Sequence, residues 1–427
     1  LEIVGDQTAP TPPTFGVTIT ADSVTVRGLA IYGFDSADVR VGPAGGLPFE
    51  GIVIEDNVIG ATADSFADPG AASRSQLYNV YIEDAESGLP GAENRIRDNL
   101  IGFSHWTSVY LDTDTWGWII SGNEIRSPAP GGAREDAIRL QSSPNSGHTI
   151  SGNLIADSPG NGIETFRSDG SHVIINNTVT GWGSGLTETS AIRLFGTNSV
   201  VEKNVISGGP GPGVIVVGER PLTSPWSAST GNRISQNQFG GNAGVAIDLI
   251  ESNDDTTNHR LGDSVTLTPG TDATTGNSGI DAPIITSATT STALGTSYAN
   301  CDVEVYRAVA GAGDDSGGTD YGEGVAYLGT ATADGAGDWT LSGITSLNPG
   351  DEVSAIAIDG SNNTSEFSAN MTATTAFGPG GVTTVLGLWL RADIGVTTSG
   401  VDVTNWADQS GYGNDASQAA VGQQPDL

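Results

Sequence analysis

The feature that most constrains the fold is a short motif, Asn followed by any residue and then by Ile, Val or Phe, which recurs before residue 240 in the stretches DNVIG, DNLIG, GNEIR, GNLIA, NNTVT, KNVIS and QNQFG. The steps between successive motif asparagines are 42, 24, 30, 24, 27 and 33 residues. A constant motif in a unit of variable length is typical of a solenoid, in which turns stack and insertions are confined to loops. The motif asparagines are Asn57, Asn99, Asn123, Asn153, Asn177, Asn204 and Asn237.

The seven asparagines are interpreted as structural. Asparagine tolerates the left-handed backbone region better than other non-glycine residues, so we expect these residues to lie where the chain bends. Its amide both donates and accepts hydrogen bonds, so asparagines stacked at ~4.8 Å per level can form a ladder. The stretch SVTVRGLAIYGF has the same form with Leu29 in place of asparagine, and we take it as the first level.

A second recurring element lies between the asparagines: the short runs SVYLD, AIRLQ, GIETF, AIRLF, GVIVV and GVAID. Their alternation and β-branched residues predict strands, and they are too short for helices. Two or more stacked strands per repeat predict an all-β protein built on a right-handed parallel β-helix. The repeats resemble the parallel β-helix repeat family, whose fold is shared by pectate lyase-like enzymes, tailspikes and many surface proteins. The resemblance covers about residues 1–250 and implies a fold rather than an activity.

Four segments are predicted along the chain. The β-helix with an acidic closing tract takes residues 1–281, and short strands with Gly/Asp turns predict a β-sandwich over 282–375. A linker over 376–384 precedes an incomplete jelly-roll segment over 385–427. The stretches YGEGVAYLGTATADGAGDWT and IAIDGSNNTSEFSA resemble bacterial Ig-like domains. The stretch LGLWLRADIGVTTSGVDVTNWADQSGYGNDASQ resembles the start of a concanavalin/laminin-G-like domain.

Charge narrows the partners. The chain has 50 acidic and 16 Lys or Arg residues, a formal net charge of -34, which repels nucleic acid phosphates and anionic lipid surfaces. No apolar run is long enough to cross a bilayer, so direct membrane insertion is not expected. The single cysteine, Cys301, excludes an internal disulfide framework. We expect an extracellular or cell-surface protein whose partners are glycans or other copies of itself.

The second strands carry the candidate chemistry. If they stack in register, Tyr110, Arg139, Glu164 and Arg193 occupy equivalent outward positions, and alternating charges favour a structural ion ladder over an anionic-sugar site. The catalytic alternative uses Asp112 and Asp136 as paired carboxylates, with Arg139 beside them. The sequence motifs of polygalacturonases and pectate lyases are missing, which favours the structural interpretation.

Aromatic residues and histidines were weighed in the same way. Trp106 and Trp116 are candidates for a sugar-stacking platform, whereas Trp118 alternates into a strand and is assigned to packing. His148 and His172 lie five residues before ladder asparagines and are expected on the strand surface.

Calcium is the predicted ligand ion. Clustered carboxylates in Gly-rich turns offer oxygen ligands, although neither cluster has EF-hand spacing. The residues are Asp254, Asp255 and Asp263 in the closing tract and Asp314, Asp315 and Asp320 in a sandwich loop.

Two functions remain open at this stage. The first is an extracellular structural or adhesive surface protein without catalytic activity, of which a surface-filament subunit is one form. The second is a polysaccharide lyase or glycoside hydrolase that acts on anionic glycans through the β-helix face.

Overall fold

The computed structural model describes most of the chain. The described residues are 1–42, 49–83, 92–113, 115–126, 136–141, 147–166, 170–183, 189–219, 227–250, 272–311, 315–316, 318–375, 388–391, 394–408 and 414–425.

Three parallel sheets form a right-handed β-helix, which confirms the predicted fold class. The chain passes through sheets A, B and C in turn, and each strand pairs with the strand one coil later. Sheet A contains β1 (Glu2–Val4), β4 (Ala30–Tyr32), β7 (Val58–Ile59), β10 (Leu100–Gly102), β13 (Glu124–Arg126), β16 (Leu154–Ala156), β19 (Thr178–Thr180), β22 (Val205–Ser207) and β25 (Gln238–Gly240). Sheet B contains β2 (Phe15–Ile19), β5 (Ala37–Val41), β8 (Tyr78–Ile82), β11 (Thr107–Leu111), β14 (Ile138–Leu140), β17 (Ile163–Glu164), β20 (Ile192–Leu194), β23 (Val214–Val216) and β26 (Ile247–Leu249). Sheet C contains β3 (Thr25–Arg27), β6 (Val53–Glu55), β9 (Arg95–Arg97), β12 (Ile119–Ser121), β15 (Thr149–Ser151), β18 (Val173–Ile175), β21 (Val200–Glu202) and β24 (Arg233–Ser235).

The corner from sheet C to sheet A always has two residues, and the second is the ladder position. Asn153 shows the pattern: its N–H and Nδ2 both donate to Asn177 Oδ1, at 3.0 and 2.9 Å, and its Nδ2 also donates to the Ile120 carbonyl at 2.9 Å. In the coil before Asn57, Leu29 takes the ladder position, and its N–H donates to Asn57 Oδ1. Because β1 pairs with β4, one further coil precedes the level that the sequence indicated as the first.

The left-handed backbone lies at the residue before each asparagine, so the expectation that asparagine itself makes the bend is wrong. The ladder asparagines are instead buried and held by hydrogen bonds. The left-handed positions, with φ between 53° and 70°, are Gly28, Asp56, Asp98, Gly122, Gly152, Asn176, Lys203 and Gln236.

The core is a set of aliphatic columns. The Ile, Val or Phe of each motif points inward from sheet A and packs with matching columns from sheets B and C. Trp118 belongs to this core and is fully buried, as the sequence indicated.

A second buried polar ladder runs along the edge where the chain enters sheet C, and it includes both histidines. The Trp118 N–H donates to His148 Nδ1 at 3.2 Å, and the His148 N–H donates to His172 Nδ1 at 3.2 Å. The two rings stack at 5.5 Å with an interplanar angle of 4°. The prediction that these histidines lie on the strand surface is therefore wrong: both side chains are buried and serve as acceptors for backbone N–H groups.

Two antiparallel sheets after the β-helix share one hydrophobic core, and we call them the two-sheet unit. The first sheet contains β27 (Ile284–Ala288), β28 (Thr292–Thr296) and β33 (Asp338–Ser342). The second contains β29 (Asp302–Ala308), β32 (Gly324–Thr332), β34 (Glu352–Ile358) and β35 (Met371–Thr372). The remaining elements are a 3₁₀ turn (Gly276–Gly279), the hairpin β30 (Asp315–Ser316) and β31 (Thr319–Asp320), and the sheet of β36 (Val396–Ser399), β37 (Asp402–Trp406) and β38 (Ala416–Ser417).

The two-sheet unit covers the C-terminal end of the β-helix. Glu323 accepts hydrogen bonds from the N–H groups of Gly241 (2.7 Å) and Asn242 (2.9 Å), and Glu366 accepts one from Leu249 (2.9 Å). Backbone groups that would have bonded to a further coil therefore bond to carboxylates of the next unit. Further contacts are Glu304 with Ser235 and Gln236, Asn363 with Gly231, Thr364 with Ile234, and the Phe367 ring against the Phe239 ring.

Within the described residues, no helix is long and apolar enough to cross a membrane.

Candidate functional site

The connections on either side of sheet B vary in length from coil to coil, so the surroundings of its outer face vary as well. The two-residue corner between sheets C and A holds one length, so the variable spacing of the repeats falls in the connections that enter and leave sheet B. Loops positioned by a rigid scaffold are where binding groups concentrate. A binding site is therefore expected on the outer face of sheet B.

One outward row of sheet B carries the predicted residues in register. Tyr110 pairs with Arg139, Arg139 with Glu164, and Glu164 with Arg193. The row is far more buried than a solvated strand face, because Glu164 is 3% exposed and Arg193 1% exposed. The solvent-accessible polar and aromatic groups lie at the Tyr110 end of the row.

A cavity of about 230 Å³ opens at that end, and we call it the Trp106 cleft. Trp106 is 43% exposed, and its ring lies 6.1 Å from the Tyr78 ring. Tyr78 in turn stacks on Tyr110 at 4.9 Å and on Tyr81 at 5.0 Å. One wall of the cleft is thus aromatic. The lining residues are Tyr78, Trp106, Thr107, Tyr110, Arg139 and Gln141.

The Asp112 carboxylate lies next to the hydroxyl groups of Tyr81 and Tyr110. It accepts a hydrogen bond from the Tyr81 hydroxyl at 2.9 Å and lies 3.2 Å from the Tyr110 hydroxyl oxygen. Burial and the Asp112 charge raise the pKa of Tyr78 to about 12 and also raise the pKa of Tyr81 and Tyr110. The three phenols are therefore protonated at neutral pH, and Tyr110 also reaches Gln141 Oε1 at 2.8 Å.

The polar wall is formed by Arg139 and Gln141. Arg139 Nη1 lies 3.0 Å from Glu164 Oε2 and 3.4 Å from Asp136 Oδ2, and the guanidinium carbon lies 4.3 Å from the centre of the Phe166 ring. Gln141 Oε1 is occupied by Tyr110, which leaves its Nε2 donor without a partner among the described residues. These two residues add hydrogen-bond donors to the same cleft that the aromatic residues line.

Asp136 and Glu164 form a buried carboxyl pair beneath Arg139. Burial raises the pKa of Glu164, and the neighbouring Asp136 carboxylate raises it further, against the opposing charges of Arg139 and Arg193. Asp136 accepts from the N–H and Nδ2 of Asn161, at 2.8 and 2.9 Å. With exposures of 2% and 3%, neither acid reaches a ligand in the cleft.

The structure thus brings together Trp106, Asp112, Asp136 and Arg139, but not Trp116. Trp116 is half-buried in the turn between β11 and β12, outside the set of residues that lines the cleft. Sequence reasoning missed Tyr78, Tyr81, Thr107 and Gln141. The register of YNVYI one coil before SVYLD could have indicated the two tyrosines, because strands at equivalent positions stack.

The predicted calcium ligands lie mostly outside the described residues, so calcium stays a prediction. This holds for Asp254, Asp255, Asp263 and Asp314, and the side chain of Asp315 is likewise not described. Asp320 is half-buried in the β30–β31 hairpin. The parts of the chain that are described contain no group of three or more His, Cys, Asp or Glu side chains that could hold a metal ion.

Comparison with known proteins agrees with the fold. Residues 89–281 match the family described as the right-handed β-helix region. No curated protein matches the chain.

Three solved structures are similar in outline. The enzymatically active domain of tailspike protein 2 from bacteriophage CBA120 is 10% identical with a TM-score of 0.35, over 84% of this chain and 71% of that one. Full-length tailspike protein 2, from an Escherichia coli O157:H7 bacteriophage, is 12% identical with a TM-score of 0.26, over 86% of this chain and 60% of that one. Pectate lyase Pel9A is 10% identical with a TM-score of 0.27, over 60% of this chain and 70% of that one. At these values the likeness carries no argument about function.

Proposed function

We propose that this chain is part of an extracellular adhesive protein that binds a glycan in the Trp106 cleft without cleaving it. The β-helix serves as the rigid shaft that carries the cleft. The two-sheet unit and the C-terminal segment act as Ig-like and laminin-G-like modules in series with it. The acidic charge and the single cysteine of the sequence support the extracellular setting.

The observation that carries the proposal is the exposed Trp106 side chain beside an aromatic stack. Large exposed aromatic groups are costly to leave in water, and the apolar faces of sugar rings pack well against them. Here the tryptophan lines the same cleft as Arg139 and Gln141, which gives the combination of apolar area and few polar groups typical of ligand sites.

Trp106→Ala tests the proposal directly. On a glycan array and then by calorimetry, we expect the native chain to bind a definable glycan and the variant to lose about tenfold or more in affinity, on the order of 1.4 kcal/mol. Leu154→Ala is the matched control, because Leu154 is 38% exposed on sheet A of the same β-helix. Absence of any glycan binding, or equal binding by both variants, would overturn the proposal.

A second function, glycan cleavage, is favoured by one observation only: Glu164 is buried beside Asp136, and burial raises the pKa of Glu164. A carboxyl group with a raised pKa is what a general acid needs. Both groups are buried beneath Arg139, however, so we expect no product from pectin, alginate or other anionic glycans. Product formed by the native chain and lost in Asp136→Asn or Asp112→Asn would establish the enzyme instead.

A further inference from the structure

We propose that the Trp106 cleft selects uncharged sugars that carry an acetamido group and discriminates against uronic acids. The inference rests on the proposed glycan binding and specifies its ligand class. It rests on three features of the cleft: the charge balance around it, the hydrogen-bond donors that line it and the apolar area of its aromatic residues.

The charge balance disfavours an anionic ligand. Arg139 is the only cation among the described residues that line the cleft, and its Nη1 already contacts two carboxyl groups, Glu164 and Asp136. Asp112 adds a further carboxylate directly behind Tyr110. A sugar carboxylate would therefore meet no net positive charge, on a chain whose formal charge is -34.

The polar wall nevertheless offers hydrogen-bond donors. Gln141 Nε2 has no partner within the described part of the chain, and Arg139 has guanidinium N–H groups besides Nη1. Because the Arg139 charge is balanced, these donors suit a neutral acceptor with a strong dipole. An amide carbonyl is such an acceptor, whereas a sugar hydroxyl is a weaker one.

The aromatic wall suits the methyl part of the same acetamido group. The Trp106 and Tyr78 rings meet at 46°, which forms an apolar corner beside the cavity. An acetamido methyl group placed there is removed from water, and its carbonyl can accept from the Arg139 and Gln141 donors that line the same cleft. A uronate carboxylate has no apolar part to place in this corner.

The test uses trisaccharides matched in linkage and differing in one substituent: glucose, N-acetylglucosamine and glucuronate, and the corresponding galacto series, presented on one array. We expect the best ligand to be N-acetylated and to bind about tenfold or more tightly than its uronate counterpart. The uronate deficit should shrink when NaCl rises from ~10 to ~500 mM, because screening weakens charge repulsion but not shape.

Two variants separate the contributions. Gln141→Ala should reduce the preference for the acetamido sugar over the plain sugar, and Asp112→Asn should raise uronate affinity relative to the acetamido sugar. Uronate binding equal to or tighter than that of the acetamido sugar, or no preference for acetamido over plain sugar, overturns the inference while leaving glycan binding intact. Binding to none of the sugars, or binding that survives Trp106→Ala, overturns the proposed function itself.

Discussion

At the scale of single residues, the corner between sheets C and A divides two tasks that the sequence suggests belong to one residue. The residue before the asparagine adopts φ of 53° to 70°, and the asparagine bonds to the next coil. Non-glycine residues such as Lys203 and Gln236 occupy the left-handed position in some coils, so a modest backbone cost is accepted there. The asparagine cannot vary as freely, because its amide satisfies buried backbone groups above and below it.

Asp38 is a buried carboxyl group that makes the stability of the fold fall as pH rises from acid to about pH 8. It is fully buried, and Ser75 Oγ and Asn79 Nδ2 donate to it. Burial raises its pKa from 3.8 to about 8, against the opposing hydrogen bonds of Ser75 and Asn79. The folded chain then holds a proton that the unfolded chain releases. The free energy of unfolding therefore falls by about 1.4 kcal/mol per pH unit between about pH 4 and pH 8.

Asp38→Asn should remove this dependence. The amide is neutral, and Asn79 Oδ1, which has no hydrogen-bond partner within the described residues, can turn to accept from it. Urea unfolding should show that the free energy of unfolding of the variant, relative to that of the native chain, increases by up to about 4 kcal/mol between pH 5 and pH 8. Asp64→Asn, at an exposed carboxylate, serves as control. A difference between variant and native chain that does not change with pH would contradict the prediction.

The stacked histidines act in the opposite direction. Burial lowers the pKa of His172 to about 3, and burial together with His172 lowers the pKa of His148 well below 6.5. Both rings are neutral when folded and take up protons when unfolded. Their contribution to stability is thus present above about pH 6.5 and is lost as pH falls toward 3, at about 1.4 kcal/mol per pH unit for each ring.

His172→Asn should make the fold less sensitive to acid. Asparagine already fills the equivalent position in the same ladder at Asn232, whose Oδ1 accepts from the Ser199 N–H at 3.0 Å. We expect a smaller loss of unfolding free energy between pH 6 and pH 4 than in the native chain, at the expense of some packing at all pH values. His105→Asn, outside the ladder and half-buried, is the control. Parallel pH profiles for His172→Asn and the native chain would rule out this role.

At the scale of elements, the two-sheet unit terminates the β-helix rather than merely following it. Glu323 is 1% exposed and accepts two backbone N–H groups of the last coil. Tyr306, Ile356 and Phe367 of the unit belong to the same hydrophobic cluster as the β-helix core. The end of the coil is therefore covered by both polar and apolar contacts, which also blocks pairing of its strand edges with another chain.

Glu323→Ala should loosen the last coil. The buried N–H group of Asn242 and the partly buried N–H group of Gly241 would lose their acceptor, at a cost of about 1–3 kcal/mol for the buried donor and less for the other. Hydrogen exchange measured by mass spectrometry should accelerate in β25 and β26 and remain unchanged in the first coils. Glu352→Ala is the matched control, because Glu352 in the same unit accepts its hydrogen bond from the Thr372 hydroxyl, within that unit. Uniform exchange across both variants would show that the carboxylate does not cap the coil.

Sequence periodicity predicts the elements with a period and fails for those without one. The strands, the asparagine ladder and the outward row from Tyr110 to Arg193 all follow from spacing. The histidine ladder was missed because Asn, His and Ser alternate as acceptors there, so no single residue type repeats. The Trp106 cleft and the Glu323 cap were missed because they join residues from different coils or units, whose proximity depends on loop conformation.

At the scale of the whole molecule, the net negative charge lowers the stability of the folded state. A formal charge of -34 on 427 residues opposes compaction through self-repulsion. Ion pairs such as Arg40 with Glu83, at 2.6 Å, offset it only locally, because 16 basic residues face 50 acidic ones. The fold should therefore be more stable where mobile cations screen the surface.

A salt titration tests this, and it tests calcium at the same time. Raising NaCl from ~10 to ~150 mM shortens the screening length from ~30 to ~8 Å, so we expect the melting temperature to rise. If the carboxylates of the closing tract and the sandwich loop hold calcium, CaCl₂ at equal ionic strength should raise the melting temperature further, and a chelator should reverse the difference. Equal curves for the two salts would reject the calcium sites while leaving screening intact. A melting temperature that falls with NaCl would reject screening as well, because relief of self-repulsion can only favour the compact state.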